Sequence, residues 1–207
     1  MRLILTDNDL AEGAAHLASV CPVWARALPE IGAMPLRRRP DGFAAILDAV
    51  VSQQLSVASA TAIAGKLAAA GLDQPETILD ADDPALRACG LSAPKIRYLR
   101  GIAAAGIDWD ALRDRPDDEV IATLTALPGI GRWTAEIYLM FALGRADAFA
   151  ADDLALQEAA RVMYALPARP TGKALSALAA PWQPWRSVAA RGLWAYYRLT
   201  KGREGIT

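Results

Sequence analysis

The chain has 207 residues, 54% of them hydrophobic, enough to bury the core of one or two domains. A net charge of −1 excludes a uniformly basic nucleic-acid coat. One histidine, His16, and two cysteines, Cys21 and Cys89, exclude an ordinary zinc site, a metal-cluster cysteine run and a disulfide framework. No apolar run reaches the length of a membrane span, and Asp7, Asp9 and Glu12 follow MRLIL too closely for a signal peptide, so a cytoplasmic protein is expected.

Thr6 or Asp7 can cap a first helix to about Ser19, with Leu10, Ala14, Leu17 and Ala18 on one face. Cys21-Pro22 breaks it, and Val23–Leu28 forms a short helix containing Trp24. Met34 to Gly42, with Arg37, Arg38 and Arg39, reads as a solvated connector and a first domain crossing. Phe43, Ile46, Leu47, Val50 and Val51 make an apolar helix that ends in Ser52-Gln53-Gln54-Leu55-Ser56. An alanine-rich helix follows to Leu67. Short helices are expected near Pro75–Leu79 and Pro84–Cys89. Ser92 caps a longer one with Ile96, Leu99 and Ile102 inside and Lys95, Arg97 and Arg100 outside.

Pro116-Asp117-Asp118-Glu119 opens the next helix, carboxylates at its positive end. Val120, Ile121, Leu124 and Leu127 recur at helical spacing before the stretch LPGIGRWTA, and Trp133, Ile137, Tyr138, Met140 and Phe141 recur after it. Pro128 disfavours the α conformation in Leu127. Gly129 and Gly131 permit positive φ and let a ligand approach the backbone. The second helix then presents unpaired N–H groups, a ready place for a phosphate. Alone, this helix–hairpin–helix at about 118–143 better suits a plain turn between packed helices. The charge favours the first reading: residues 1–126 hold 12 Lys/Arg against 17 Asp/Glu, and residues 127–207 hold 10 against 6.

Gly144-Arg145-Ala146-Asp147 reads as a second crossing. It gives a domain from 1–41 plus 146–207 and a central domain from 42–145. Asp152-Asp153 precede a helix from Leu154 to about Leu166. Thr171 caps another, and Pro184-Trp185-Arg186-Ser187 leads into a last helix with Leu193 and Trp194. No strand pattern exceeds three or four residues, so the expected fold class is all-α.

Together, LPGIGRWTA, Asp152-Asp153, Pro184-Trp185-Arg186-Ser187 and Leu193-Trp194 resemble the helix–hairpin–helix DNA glycosylase superfamily. Ser52-Gln53-Gln54-Leu55-Ser56-Val57 and Gly90-Leu91-Ser92-x-x-Lys95 match it too. The chain is most similar to the alkylpurine branch, the DNA-3-methyladenine glycosylase II type, over roughly Leu36 to Tyr197. The resemblance implies two helical domains flanking a DNA-binding cleft, in a short form without the N-terminal β domain of larger members. Backbone groups of Gly129, Ile130, Gly131, Arg132 and Thr134 would meet a DNA phosphate. Carbonyls of about Thr125, Leu127 and Ile130 would hold Na+ or K+, with no other cofactor and no iron–sulfur cluster. Asp153 matches the catalytic aspartate. Gln54 or Gln53, beside Leu55, matches the wedge that fills the gap left by a flipped base. Trp133 and Trp194 match aromatic walls of the base pocket, and Ile137 stands where the pattern has a tyrosine. The expected partner is damaged double-stranded DNA, bound by a monomer at the bacterial nucleoid, with no membrane involved.

The chemistry agrees with those residue types. An N-alkylated purine is cationic, and an indole face attracts it by about 0.5–2 kcal/mol. A fixed carboxylate stabilises the positive charge that develops on the sugar as the base leaves. Relatives that also cut the strand carry a lysine one residue after the hairpin arginine, to form a Schiff base. Trp133 stands there, which implies base removal alone. Trp24, Trp109, Trp182 and Trp185 are assigned to core packing. Two other readings stay open: a non-catalytic helix–hairpin–helix DNA-binding protein, and a glycosylase for deaminated or mismatched bases.

Overall fold

The computed structural model describes residues 1–202. In chain order its α-helices are α1 Asp7–Val20, α2 Pro22–Ile31, α3 Phe43–Ser52, α4 Val57–Ala69, α5 Pro75–Asp80, α6 Asp83–Ala88, α7 Ala93–Ala104, α8 Asp117–Thr125, α9 Arg132–Ile137, α10 Leu154–Met163, α11 Gly172–Leu178 and α12 Arg186–Lys201. A π turn, Tyr138–Ala142, continues α9. Among the described residues the only extended pairing is an isolated bridge between Leu3 and Arg145. The fold is all-α. No helix among them is long and apolar enough to cross a membrane.

The chain forms two compact units. One comprises Met1–Arg38 with the chain from Leu139 on, and the other comprises Arg39–Tyr138. The first division lies inside the Met34–Gly42 connector, whereas the second falls before Gly144–Asp147. Gly144-Arg145-Ala146-Asp147 is no exposed crossing. Arg145 is 1% exposed. Ile4 N–H donates to the Gly144 carbonyl at 2.7 Å, Ala146 N–H to Arg2 at 3.1 Å and Ser187 N–H to Ala146 at 2.9 Å. Those bonds draw the segment into the core of its own unit.

In the two-ended unit, α12 packs on α1, α2 and α10. Thr6 starts α1 with a capping box: its hydroxyl accepts from Asp9 N–H, while the Asp9 carboxylate accepts from Thr6 N–H at 2.8 Å. Pro22 begins α2 instead of merely ending α1, because its missing N–H is harmless at the first helical position. Trp24 and Trp182 are fully buried and meet edge to face at 5.5 Å, with Phe149 on Trp182 at 5.9 Å. Glycines let α12 come close. A Cβ on Gly192 would stand 2.7 Å from the Trp24 ring, and one on Gly13 would stand 2.5 Å from Val188.

In the central unit, α7 packs on α3, α5 and α6, and α8 packs on α9. Ile46, Val50, Leu67, Ile78, Leu86, Leu99, Val120 and Leu124 are fully buried. Trp109 is only half-buried, beside Tyr138 at a ring separation of 6.3 Å.

The tryptophan cluster gives a stability prediction. Trp182→Ala should cost about 3–5 kcal/mol, the range for deleting a large buried aromatic side chain. Urea unfolding should show a lower midpoint with an unchanged slope.

Candidate functional site

The hairpin is shaped by α7. The Pro128 ring lies where Gly101 leaves room, 2.6 Å from the place a Cβ would take. Gly129 has φ 78°, and a Cβ there would stand 2.5 Å from the Tyr98 ring. Glycine is therefore required twice at 129, for conformation and for contact. Gly131 departs from the expectation. It is the N-cap of α9 with φ −90° and ψ 168°, ordinary extended backbone. Nothing lies within 4 Å of a Cβ built there. Space around Gly131 is open because Gly129, Gly131, Arg132 and Trp133 are exposed, which leaves the N-terminus of α9 uncovered. Thr134 is half-buried and Ile130 is buried. Arg132 Nε donates to Glu136 Oε1 at 2.9 Å within α9. Trp133 is 41% exposed, whereas Ile137 is buried.

The two glutamines differ. Gln53 Nε2 donates to the Gly129 carbonyl at 2.9 Å, tying the end of α3 to the hairpin. Gln54 is exposed, in the left-handed region at φ 59°, and Leu55 beside it is 40% exposed. Lys95 fixes the turn between them. Its Nζ donates to the carbonyls of Val51 at 2.7 Å and Gln53 at 2.9 Å, groups left over at the end of α3. Burial pushes the Lys95 ammonium below its ordinary value. Sequence reading put Lys95 on a polar helix face. The available signal was that α3 ends without a glycine or an asparagine to satisfy its last carbonyls.

Asp153 and Trp194 lie in the other unit. Asp153 is the N-cap of α10 and is 8% exposed. Its Oδ1 accepts from the N–H groups of Ala155 at 2.9 Å and Leu156 at 3.0 Å, and from Trp194 Nε1 at 3.3 Å. The Trp194 indole is buried and packs on Phe141 with ring centres 5.8 Å apart. Asp152 points elsewhere. Its Oδ1 lies 1.8 Å from the position of a Cβ on Gly172, at the start of α11. The adjacent carboxylates thus face different helices. Gln157 Nε2 donates to the Ala151 carbonyl at 3.0 Å and steadies the loop before Asp153. Trp133 and Ile137 belong to the central unit, and Trp194 and Asp153 belong to the two-ended one.

The hairpin carbonyls of Thr125, Leu127 and Ile130 are neutral oxygens at a helix end and in the turn after it, where intrahelical donors run out. The Leu127 carbonyl accepts the Ile130 N–H at 3.3 Å, and a carbonyl oxygen has two lone pairs. Such a donor set suits a hard monovalent cation. Among the described residues, no group of three or more His, Cys, Asp or Glu side chains could hold a metal ion.

The chain belongs to the HhH-GPD superfamily of base excision DNA repair proteins, whose model matches residues 47–184. It is 33% identical over 204 residues to DNA-3-methyladenine glycosylase 1 of Schizosaccharomyces pombe, covering 93% of this chain and 90% of the relative. A solved structure of the 3-methyladenine DNA glycosylase of Schizosaccharomyces pombe, in complex with abasic DNA, superposes with a TM-score of 0.77 at 31% identity, over 95% of this chain and 100% of that one. The DNA-3-methyladenine glycosidase of Bacillus halodurans superposes with a TM-score of 0.81 at 31% identity, over 99% of this chain and 96% of that one.

The two hairpin glycines should separate in experiment. Gly129→Ala forces both strain and a clash with Tyr98, so its thermal midpoint should fall by several degrees, as a loss of about 1–3 kcal/mol would give. Gly131→Ala should keep the wild-type midpoint yet bind abasic-site duplex more weakly, because its Cβ occupies only the space a phosphate would need.

Proposed function

We propose that this chain is a monofunctional DNA glycosylase of base-excision repair that hydrolyses the N-glycosidic bond of alkylated purines, of the 3-methyladenine type, in duplex DNA. One observation carries the reading. In a member of a base-excision repair family, Asp153 is buried and held by two helix N–H groups and an indole. Likeness over nearly the whole chain, at 33% and 31% identity, to two named 3-methyladenine glycosylases supports it.

Duplex DNA is gripped by the open N–H groups at the start of α9. A Na+ or K+ on the carbonyls of Thr125, Leu127 and Ile130 would add positive charge toward the same phosphate. Gln54, exposed with Leu55 beside it, fills the gap left by the flipped base, and Gln53 positions the hairpin by its bond to Gly129. Trp133, exposed on α9, offers an indole face to a cationic base. As the bond between sugar C1′ and base nitrogen breaks, its electron pair leaves with the base. Positive charge develops on the sugar, and the Asp153 carboxylate stabilises it. Water adds at C1′ and loses a proton, which leaves an abasic site. Trp133 follows Arg132 where strand-cutting relatives have lysine, so no Schiff base forms. The protein acts as a monomer in the compartment that holds the genome.

Asp153→Asn keeps an acceptor for the Ala155 and Leu156 N–H groups, so fold and DNA affinity should survive. Single-turnover excision of hypoxanthine or ethenoadenine should drop at least about 10²-fold, the low end for losing a preorganised electrostatic contact. Asp152→Asn, whose carboxylate faces Gly172, should excise like wild type. Equal excision by wild type and Asp153→Asn would remove Asp153 from the mechanism. DNA binding without any base release would leave a non-catalytic DNA-binding protein.

Borohydride added during turnover on lesion-bearing duplex should trap no covalent protein–DNA adduct, and the product strand should remain uncut. A trapped adduct on denaturing gels would reassign the protein to the strand-cutting class.

A further inference from the structure

The stretch Pro184-Trp185-Arg186-Ser187 leads into α12 and grips the loop that ends at Asp153. Arg186 Nε donates to Asp147 Oδ1 at 2.8 Å, and its Nη2 donates to Asp147 Oδ2 at 2.7 Å. Ser187 N–H donates to the Ala146 carbonyl at 2.9 Å. Two consecutive residues of α12 thus hold two consecutive residues of the loop. Trp185, just before them, is buried, with the Arg2 guanidinium carbon 4.2 Å from its ring centre.

From Ala148 to Asp152 the chain has no helix or strand. Its own backbone bonds are local: Ala151 N–H to the Phe149 carbonyl at 3.1 Å, and Asp153 N–H to the Ala150 carbonyl at 3.0 Å. Such bonds shape turns without fixing where the loop lies. Phe149 anchors the middle on the Trp182 ring. Both ends belong to α12, because Arg186 holds Asp147 and Trp194 donates to Asp153. Those two side chains stand eight residues apart, about 12 Å along one helix. An exposed ion pair typically contributes little. This one differs in that both side chains are half-buried and meet through two bonds, which fix direction as well as distance.

We propose that Arg186 and Asp147 are positioning residues for Asp153. The fork at the start of α12 sets where the loop begins, the Trp194 indole sets where it ends, and the carboxylate keeps its place only while both hold. The effect on rate rests on the function proposed above, whereas the effect on geometry does not. Without the fork the loop shifts, and a small displacement at the reacting centre slows the chemistry. The N–H groups that grip DNA belong to the other unit, so affinity should remain.

The test uses the whole protein with Arg186→Met, Arg186→Lys and Asp147→Asn. Proton exchange of the Trp194 indole N–H is followed by NMR without DNA, against that of Trp182, which reports opening of the unit as a whole. Single-turnover excision of hypoxanthine is followed beside binding to an abasic-site duplex. Arg186→Met and Asp147→Asn should speed exchange at Trp194 more than at Trp182. Both should slow excision by roughly 10- to 10²-fold with affinity unchanged. Arg186→Lys should lie between these and wild type, since lysine keeps the charge without the planar fork. It carries the test with Asp147→Asn if Arg186→Met does not fold. In an Asp153→Asn background, removing the fork should cost no further rate. A pair that serves stability alone would speed exchange at both indoles alike, and that result overturns the positioning role. So does an equal loss of rate in both backgrounds, because the fork would then act on something other than Asp153. If wild type releases no base, the glycosylase reading falls, and indole exchange still decides whether the fork holds Trp194 and Asp153 together.

Discussion

One carboxylate oxygen of Asp153 takes three donors, and they come from two helices. Burying a carboxylate is costly unless it is hydrogen-bonded. The two N–H groups at the start of α10 are local to Asp153 and come with the helix. The third donor, Trp194, arrives from α12, so the position of α12 decides whether the carboxylate is fully held. That position is set by packing far from the acid: Gly13 against Val188 and Gly192 against Trp24. A change in that core reaches Asp153 through the Trp194 indole and through the packing of α12 on α10.

The hairpin has a comparable dependence on α7. Gly101 admits Pro128, Tyr98 leaves no room for anything but glycine at 129, and Lys95 holds the carbonyls of Val51 and Gln53. Gln53 then returns to the Gly129 carbonyl. The hairpin and the glutamine turn are thus one construction, braced by a helix that contributes no exposed group of its own to the N–H array.

Much of this was readable from residue order. Helix starts at Thr6 and Thr171 follow from capping chemistry, and Pro128 with Gly129 marks the hairpin. Asp153 stands out by its place before an apolar helix and by the company of LPGIGRWTA. What could not be read depends on tertiary neighbours. The pattern G-x-G suggests two glycines with the same job, yet only Gly129 needs positive φ. Asp152 and Asp153 look interchangeable as caps until α11 is folded beside one of them. The Gly144–Asp147 segment has the polar composition of a loop, but its backbone bonds to the N-terminal segment and to α12 draw it inward. Nothing local to Arg191 reveals that Ser187, Met140 and Leu36 converge on it.

The two units differ in how the ribosome delivers them. Residues 39–138 are continuous, so their contacts, including those of the hairpin, can form as soon as that stretch has emerged. The other unit joins residues 1–38 to a chain that starts at 139, and its central helix, α12, runs to Lys201. Its first two helices are made early and must wait for α12 before Trp24 can be covered. Apolar surface on a nascent chain is exposed to wrong partners for as long as the wait lasts. The hairpin half can thus be complete before α12, which supplies the third donor to Asp153, has emerged.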